Sequence, residues 1–300
     1  MTAPASSSHP PSGLLPAVGA YLIWGFLPLY LMLVETVPAF EFVAWRIIWT
    51  LPLCLVILAL RRQFADLFRA LRSPRAMLAL MASAVLIGIN WFVYIWAIMA
   101  GQVYATSIGY YLNPLINVLL GTLLLGETLS RRQWIAVAIA AAAVALLAAG
   151  ALTSLWISLT LAFTFSLYGL VRKQVAVDSL PGLTIESAIL LVPAIAIAGW
   201  YAIGPQGSSF GQEWGMSALI VFSGVVTAVP LLLFAIAARR MDYSALGFIQ
   251  YLSPTIVFLL GLFVFGQPLA PAKLASFVLI WIAVGVFAWD LWMKRRTASA

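Results

Sequence analysis

The chain has 300 residues, of which 64% are hydrophobic and 8% charged, with a mean hydropathy of +1.07 and a formal net charge of +7. A water-soluble domain carries about 25% charged residues to cover its surface, so this composition excludes a soluble globular protein and leaves an integral membrane protein. The positive charge sits in short clusters between apolar runs, the pattern that orients membrane spans, and not on a basic face interleaved with aromatics, which excludes a nucleic-acid binder.

Residues 1–13, MTAPASSSHPPSG, are polar, rich in Pro and Ser and free of Lys and Arg. They lack the basic start of a secretory signal and read as a disordered cytoplasmic tail ahead of a retained first span. His9, the one histidine, falls in this tail. Apolar runs long enough to span a bilayer, about 20 residues each, follow near 14–34, 39–60, 77–99, 102–125, 133–151, 155–171, 183–203, 215–238, 243–265 and 271–291. The weakest division is the GALTS turn between the fifth and sixth.

The Lys/Arg distribution supports ten spans with both termini inside. One set of loops and the C-terminal segment 292–300 hold Arg61, Arg62, Arg69, Arg72, Arg75, Arg131, Arg132, Arg172, Lys173, Arg239, Arg240, Lys294, Arg295 and Arg296. That is fourteen of the sixteen basic residues; only Lys273 falls outside, and Arg46 lies within a span. Such asymmetry is the positive-inside rule.

The fourth span contains YLNPLINVLLGTLLLGETL, Tyr111 to Leu129, and the ninth contains YLSPTIVFLLGLFVFGQPL, Tyr251 to Leu269, identical at nine of nineteen positions. The first copy is followed by Arg131 and Arg132, the second by Pro271 and Ala272. Two halves of five spans each must be oppositely oriented, so the second loop faces outside and has lost its charges. The offset of 140 extends upstream, aligning Asn90 with Pro230 and Ala97 with Ala237, and Trp24–Gly25 resembles Tyr168–Gly169. The expected architecture is all-α: ten transmembrane helices in two inverted five-helix repeats, 14–151 and 155–291. Inverted repeats recur in secondary transporters, where two equal halves rock about a central site.

Polar residues at mid-membrane are costly unless they face protein or a water-filled cavity. In the fourth span Thr106, Tyr110, Asn113, Asn117 and Gly121 share one helical face; the ninth carries Gln250, Ser253 and Gly261. The third contributes Ser83, Asn90 and Tyr94, and the eighth Ser223, Thr227 and Pro230. These groups either glue helices together or line a cavity; four matched stripes favour the cavity. The expected solute site lies between spans three, four, eight and nine. Asn90, Asn113, Asn117, Gln250 and Ser253 would orient the solute, Trp24, Tyr94 and Tyr110 would wall it, and Pro114, Pro230 and Pro254 would bend the helices, each proline freeing a carbonyl about four residues earlier.

Two buried charges stand out. Arg46 lies in the second span and Glu186 near the inner end of the seventh, towards opposite membrane faces, so they are not expected to pair. A charge at a helix centre costs roughly 2.5–3.5 kcal/mol; each is a gate, a structural latch, or a group that snorkels to the interface. No Asp, Glu or His falls on the central stripes, which leaves ion coupling open. One tail histidine, one span cysteine (Cys54) and nine scattered acids supply no catalytic constellation, metal site or cofactor. A membrane-embedded enzyme is therefore disfavoured, and a non-transporting scaffold or sensor leaves the duplication unexplained. The partners expected are a small-molecule solute and the lipid bilayer; apolar outer faces carry no information on oligomeric state.

The segments WGFLPLY, WRIIW, NWFVYIWAI, SIGYYLNPLINVLLG, GLVRKQ and GFIQYLSPTIVFLLGLFVFGQPL occur in this order between about residues 14 and 292. Together they resemble the RarD branch of the EamA-type transporters in the drug/metabolite transporter superfamily. The resemblance implies two inverted EamA repeats, a bacterial inner-membrane location, and export or permeation of small organic solutes such as amino acids. RarD proteins carry a chloramphenicol-sensitive label, which does not fix the solute. The family's second repeat typically ends with Glu where this chain has Gln267, which puts a charge-dependent role there in doubt.

Overall fold

The computed structural model describes residues 13–149, 152–266 and 271–298, and every regular element among them is helical. The tail with His9, and Gln267, lie outside the described residues. The helices are α1 (Leu14–Leu33), α2 (Ala39–Arg61), α3 (Phe64–Leu71), α4 (Pro74–Met99), α5 (Val103–Leu124) and α6 (Arg131–Ala148), then α7 (Leu155–Gln174), α8 (Ser179–Ile203), α9 (Trp214–Arg240), α10 (Tyr243–Gln250), α11 (Leu252–Phe263) and α12 (Pro271–Ala298). Ten segments are long and apolar enough to cross a membrane, with α10 and α11 together making the ninth.

Local chemistry sets several boundaries. Ser73 caps α4, its Oγ accepting from the Ala76 amide at 3.3 Å with Pro74 at the first helical position. Ser130 and Gln133 form a reciprocal capping box at the start of α6, and Ser130 Oγ also donates to Asp290 of α12 at 2.8 Å. α2 ends at Arg62 in the left-handed region, φ 54°, which turns the chain sharply into α3. The sequence reading expects only a basic loop there. Its eight residues are too short to span but amphipathic: Leu67 and Ala70 are buried against α8 and α4, while Phe64, Phe68 and Leu71 stay exposed. That arrangement suits a helix lying in the membrane interface.

The prolines act unequally. α5 runs unbroken through Pro114 and α9 through Pro230. The ninth span breaks at Tyr251, three residues before Pro254, where no amide is available to continue the ladder.

The inverted duplication appears directly in the packing. Equivalent helices of the two halves meet each other: α2 packs on α8, α5 on α10, and α6 on α12. Non-equivalent contacts come in matched pairs, α1 with α9 as α7 with α4, and α1 with α11 as α7 with α5. A pseudo-two-fold axis in the bundle explains all of these at once. Close approach needs small residues: a Cβ on Gly224 of α9 would come within 2.5 Å of the Trp49 carbonyl oxygen of α2.

Packing is tighter at the end carrying the arginine clusters, hereafter the basic end. Leu180 to Ser187 of α8 are buried without interruption there, but beyond them only Ala194 and Ala198 are. Tyr243 to Phe248 of α10 are likewise all buried, whereas α11 buries alternate faces. The bundle is sealed at the basic end and loosens towards the other.

Candidate functional site: a crevice open at one end

Comparing positions 140 apart shows the asymmetry residue by residue. Phe234 is fully buried, but its counterpart Tyr94 is only partly so. Gln250 is 4% exposed, and its counterpart Tyr110 is 41% exposed. Tyr243 is 0% exposed against 52% for Val103. Tyr110 shares its helical face with Thr106, Asn113 and Asn117, all of them buried, so its accessible surface lies on the inward side of α5, and with Tyr94 it is read as lining a crevice. Their rings meet edge-on at 6.0 Å.

Arg46 forms the floor of this crevice. Its Nε donates to Thr227 Oγ1 of α9 at 2.9 Å, and its guanidinium carbon lies 5.8 Å from the Phe42 ring and 5.4 Å from the Trp91 ring. Cation–π contacts of this kind stabilise by roughly 0.5–2 kcal/mol. The phenols of Tyr30, Tyr94 and Tyr110 are close enough to act on it electrostatically. Tyr30 is anchored at the rim, donating to the Leu219 carbonyl at 2.8 Å. Glu41, five residues back, faces elsewhere: its carboxylate accepts from Trp45 Nε1, Ser208 Oγ, and the amide and hydroxyl of Ser209, pinning the loop between α8 and α9.

Beyond Arg46 the path narrows to a cavity of about 10 Å³ bordered by Trp91, Tyr168, Glu186 and Ser187, at the lower limit of what one water occupies. It then meets an aromatic layer. Trp24 packs against Tyr21, Phe165 and Phe234 at centroid distances of 5.7, 5.7 and 5.8 Å, and Tyr168 stacks on Phe234 at 6.1 Å. Trp24 is therefore part of the seal in this structure.

Bordering the same cavity, beside that layer, sits a buried ion pair. Arg172 Nη1 and Glu186 Oε1 are 3.5 Å apart with side chains 0% and 2% exposed. Ser83 Oγ of α4 donates to the same Glu186 oxygen, and Arg172 Nη2 donates to the Ser179 carbonyl at 2.9 Å. Gly182 is required beside it, since any Cβ there would run into the guanidinium. Glu186 thus has Arg172 as its ionic partner. Arg172, however, is not a loop charge facing the cytoplasm, as the basic-residue pattern suggests; it is drawn inward by Glu186, because an unpaired buried carboxylate would cost more.

Further polar ties close the basic end. Glu127 accepts from the amides of Tyr243 and Ser244 at 2.5 and 2.9 Å, capping α10. Lys173 Nζ donates to the Ala238 and Met241 carbonyls at 3.0 and 2.6 Å, satisfying the end of α9. Sequence reasoning passes over both; the Glu of the repeated GETL/GQPL ending was the available signal for Glu127. On the outside of this seal a cleft of about 750 Å³ runs between the α3–α4 and α7–α8 turns and reaches Val171, next to Arg172.

The remaining polar residues of the stripes sit between helices, Ser253 partly buried and the others buried. Asn90 Nδ2 donates to the Leu161 carbonyl and to Thr164 Oγ1, both at 2.9 Å, tying α4 to α7. Asn117 Nδ2 donates to Gln250 Oε1 at 3.3 Å across the two-fold contact of α5 and α10. Asn113 and Asn117 each keep a buried side-chain oxygen with no hydrogen-bond partner. Ser253 Oγ donates to the Tyr21 carbonyl at 2.6 Å. The structure thus brings Arg46, Tyr94 and Tyr110 together in the crevice, and Asn113, Asn117 and Gln250 together at the axis.

Ten spans in inverted halves around a half-open central path define a polytopic membrane transporter. Comparison with known proteins gives the particular family. Residues 11–149 match the EamA-like transporter family. An uncharacterized transporter of Pseudomonas aeruginosa is 42% identical over 280 residues, covering 92% of this chain and 93% of that one. The protein RarD of Escherichia coli is 39% identical over 296 residues, covering 96% and 97%. The chain belongs to the EamA-like transporter family, on its RarD branch. A solved crystal structure shares the fold at a TM-score of 0.71 and 22% identity, covering 92% of this chain and 96% of its own.

Proposed function

We propose that the chain carries a small organic solute across the bacterial inner membrane by exposing a central site to one side at a time, with the basic end and both termini in the cytoplasm. The observation that carries this reading is the unequal exposure of symmetry-related positions: Tyr94 and Tyr110 are accessible, while Phe234 and Gln250 are sealed. Because the halves are equivalent, exchanging those exposures yields the opposite state without a new fold. Orientation rests on the arginine clusters at the basic end.

In the exchanged state α10 swings away from α5, and Gln250, Asn117 and Asn113 become part of the path. The unpartnered oxygens of the two asparagines then have hydrogen-bonding capacity for a solute. Asn90 and Ser253 hold the neighbouring helices, and the interruption of the helix at Tyr251, three residues before Pro254, gives the ninth span a hinge. The aromatic walls suit a solute with an apolar body, such as an amino acid or a chloramphenicol-like compound; a relative of the same branch is named chloramphenicol-sensitive.

The test is flux of labelled amino acids and chloramphenicol in proteoliposomes of the purified chain, with and without a pH gradient. Saturable flux that falls in Asn113→Ala, with the variant correctly inserted, supports the reading. Unimpaired flux in that variant removes Asn113 from the path, and no flux from folded wild-type protein for any solute argues against transport of these classes.

A further inference from the structure

We infer that the transported solute carries a single negative charge, a carboxylate, and that Arg46 is the residue that binds it. The inference rests on the transporter reading above and narrows its substrate class to solutes that present a carboxylate, which leaves out neutral, chloramphenicol-like compounds.

Arg46 is a cation in the interior of a membrane-spanning bundle with no counter-ion among the described residues. The two acids of neighbouring interior positions are engaged elsewhere. Glu41 receives four hydrogen bonds from Trp45, Ser208 and Ser209, and Glu186 is held by Arg172 and Ser83. The ion pairs among the described residues join Arg69 to Asp66, Arg172 to Glu186 and Arg239 to Asp178, and none includes Arg46. A charge at this depth of a membrane-spanning bundle is costly unless water or an anion meets it. Had the charge been a packing device only, an acid placed on α4 or α9 would have met it, as Glu186 meets Arg172.

The geometry also leaves the correct part of the side chain free. Nε is used on Thr227, and the ring contacts of Phe42 and Trp91 hold the guanidinium. Its terminal nitrogens donate to no described residue, and they are the atoms that bind a carboxylate in a two-bond fork. The Tyr94 and Tyr110 hydroxyls likewise donate to no described residue and sit in the same crevice, reachable from the open end. An anionic head on Arg46, with an apolar or aromatic body between Tyr94, Tyr110 and Trp91, satisfies every feature of the site. One cation matches one charge, which favours a carboxylate over a phosphate dianion. A neutral solute would leave the guanidinium unmatched.

The test compares acids with their amides, which differ in charge but hardly in shape. Thermal stabilisation of the purified full-length chain in detergent is titrated with phenylacetate against phenylacetamide, indole-3-acetate against its amide, and isovalerate against isovaleramide. For wild type, at least one acid should half-saturate at a concentration about tenfold or more below its amide, the factor expected of a charge-assisted fork. Arg46→Gln should reduce that ratio to about two or less by leaving amide binding in place and weakening the acid. Arg46→Lys, which keeps the charge and loses the fork, covers the case in which the Gln variant does not fold, and should weaken the acid several-fold with the amide unchanged. Acids indistinguishable from amides in wild type, or a ratio that survives both substitutions, overturns the inference. Saturable flux that ignores charge would leave the transporter reading standing and remove this one. Acid binding through Arg46 without flux of the acid would do the reverse.

Discussion

Removing either member of the Arg172–Glu186 pair should be among the most damaging single changes in the chain, and removing both should be far milder. The charged atoms are 3.5 Å apart with side chains 0% and 2% exposed. Coulomb's law at an effective dielectric of about 20 gives an attraction of about 5 kcal/mol at that distance. Breaking one half of a buried pair typically loses about 3–5 kcal/mol, because the survivor keeps its charge with no water to solvate it. Glu186→Gln isolates the charge, since an amide oxygen still accepts from Ser83, and Arg172→Met keeps most of the volume. Each should lose about 3–5 kcal/mol, whereas the double variant should return to within about 2 kcal/mol of wild type. The assay is reversible denaturant unfolding of the four proteins in mixed micelles, read as a double-mutant cycle. Single losses below about 1 kcal/mol, or losses that simply add in the double variant, would refute a buried, coupled latch.

Three further changes probe the same construction. Gly182→Ala forces a methyl group into the Arg172 guanidinium and should destabilise the chain by an amount close to that of Arg172→Met, with no further loss when combined with it. Glu127→Ala removes the acceptor of the Tyr243 and Ser244 amides and should lose about 1–2 kcal/mol in the same unfolding assay, as for other helix caps; Glu127→Gln should lose less. Glu41→Ala releases the loop held through Ser208 and Ser209; if about 2 kcal/mol of local stability goes with it, hydrogen exchange or proteolysis between residues 204 and 213 should speed up about thirtyfold, and unchanged rates would show that the loop is held by other contacts.

Ten spans were legible because a bilayer imposes a length and a composition, and their inversion was legible because duplicated segments differ in the charges of the following loop. α3 was not, since eight residues flanked by Arg61, Arg62, Arg72 and Arg75 between two spans read as part of a basic loop until Leu67 and Ala70 have something to pack against. Arg172 was misread for a related reason: a charge at the end of a span looks the same in sequence whether it faces water or turns back to an acid seven residues into the next helix. The polar stripes follow from helical periodicity, which cannot say what a one-sided polar face meets. Asn117 meets Gln250, Asn90 meets Leu161 and Thr164, and Tyr110 is left 41% exposed. Trp24, expected as a wall, sits in the aromatic seal. The division between open and sealed ends is a property of this conformation, which the near-equivalence of two duplicated halves does not single out in the sequence.

The central claim is that symmetry-related positions are exposed alternately. In a Cys54→Ala background, Tyr110→Cys and Gln250→Cys proteins in sealed, oriented vesicles would be treated with a membrane-impermeant maleimide from each side. Without solute, Tyr110→Cys should react from the side opposite the basic end and Gln250→Cys from neither; with a transported solute, Gln250→Cys should become reactive from the basic end while Tyr110→Cys slows. Reaction of both positions from one and the same side would contradict the account.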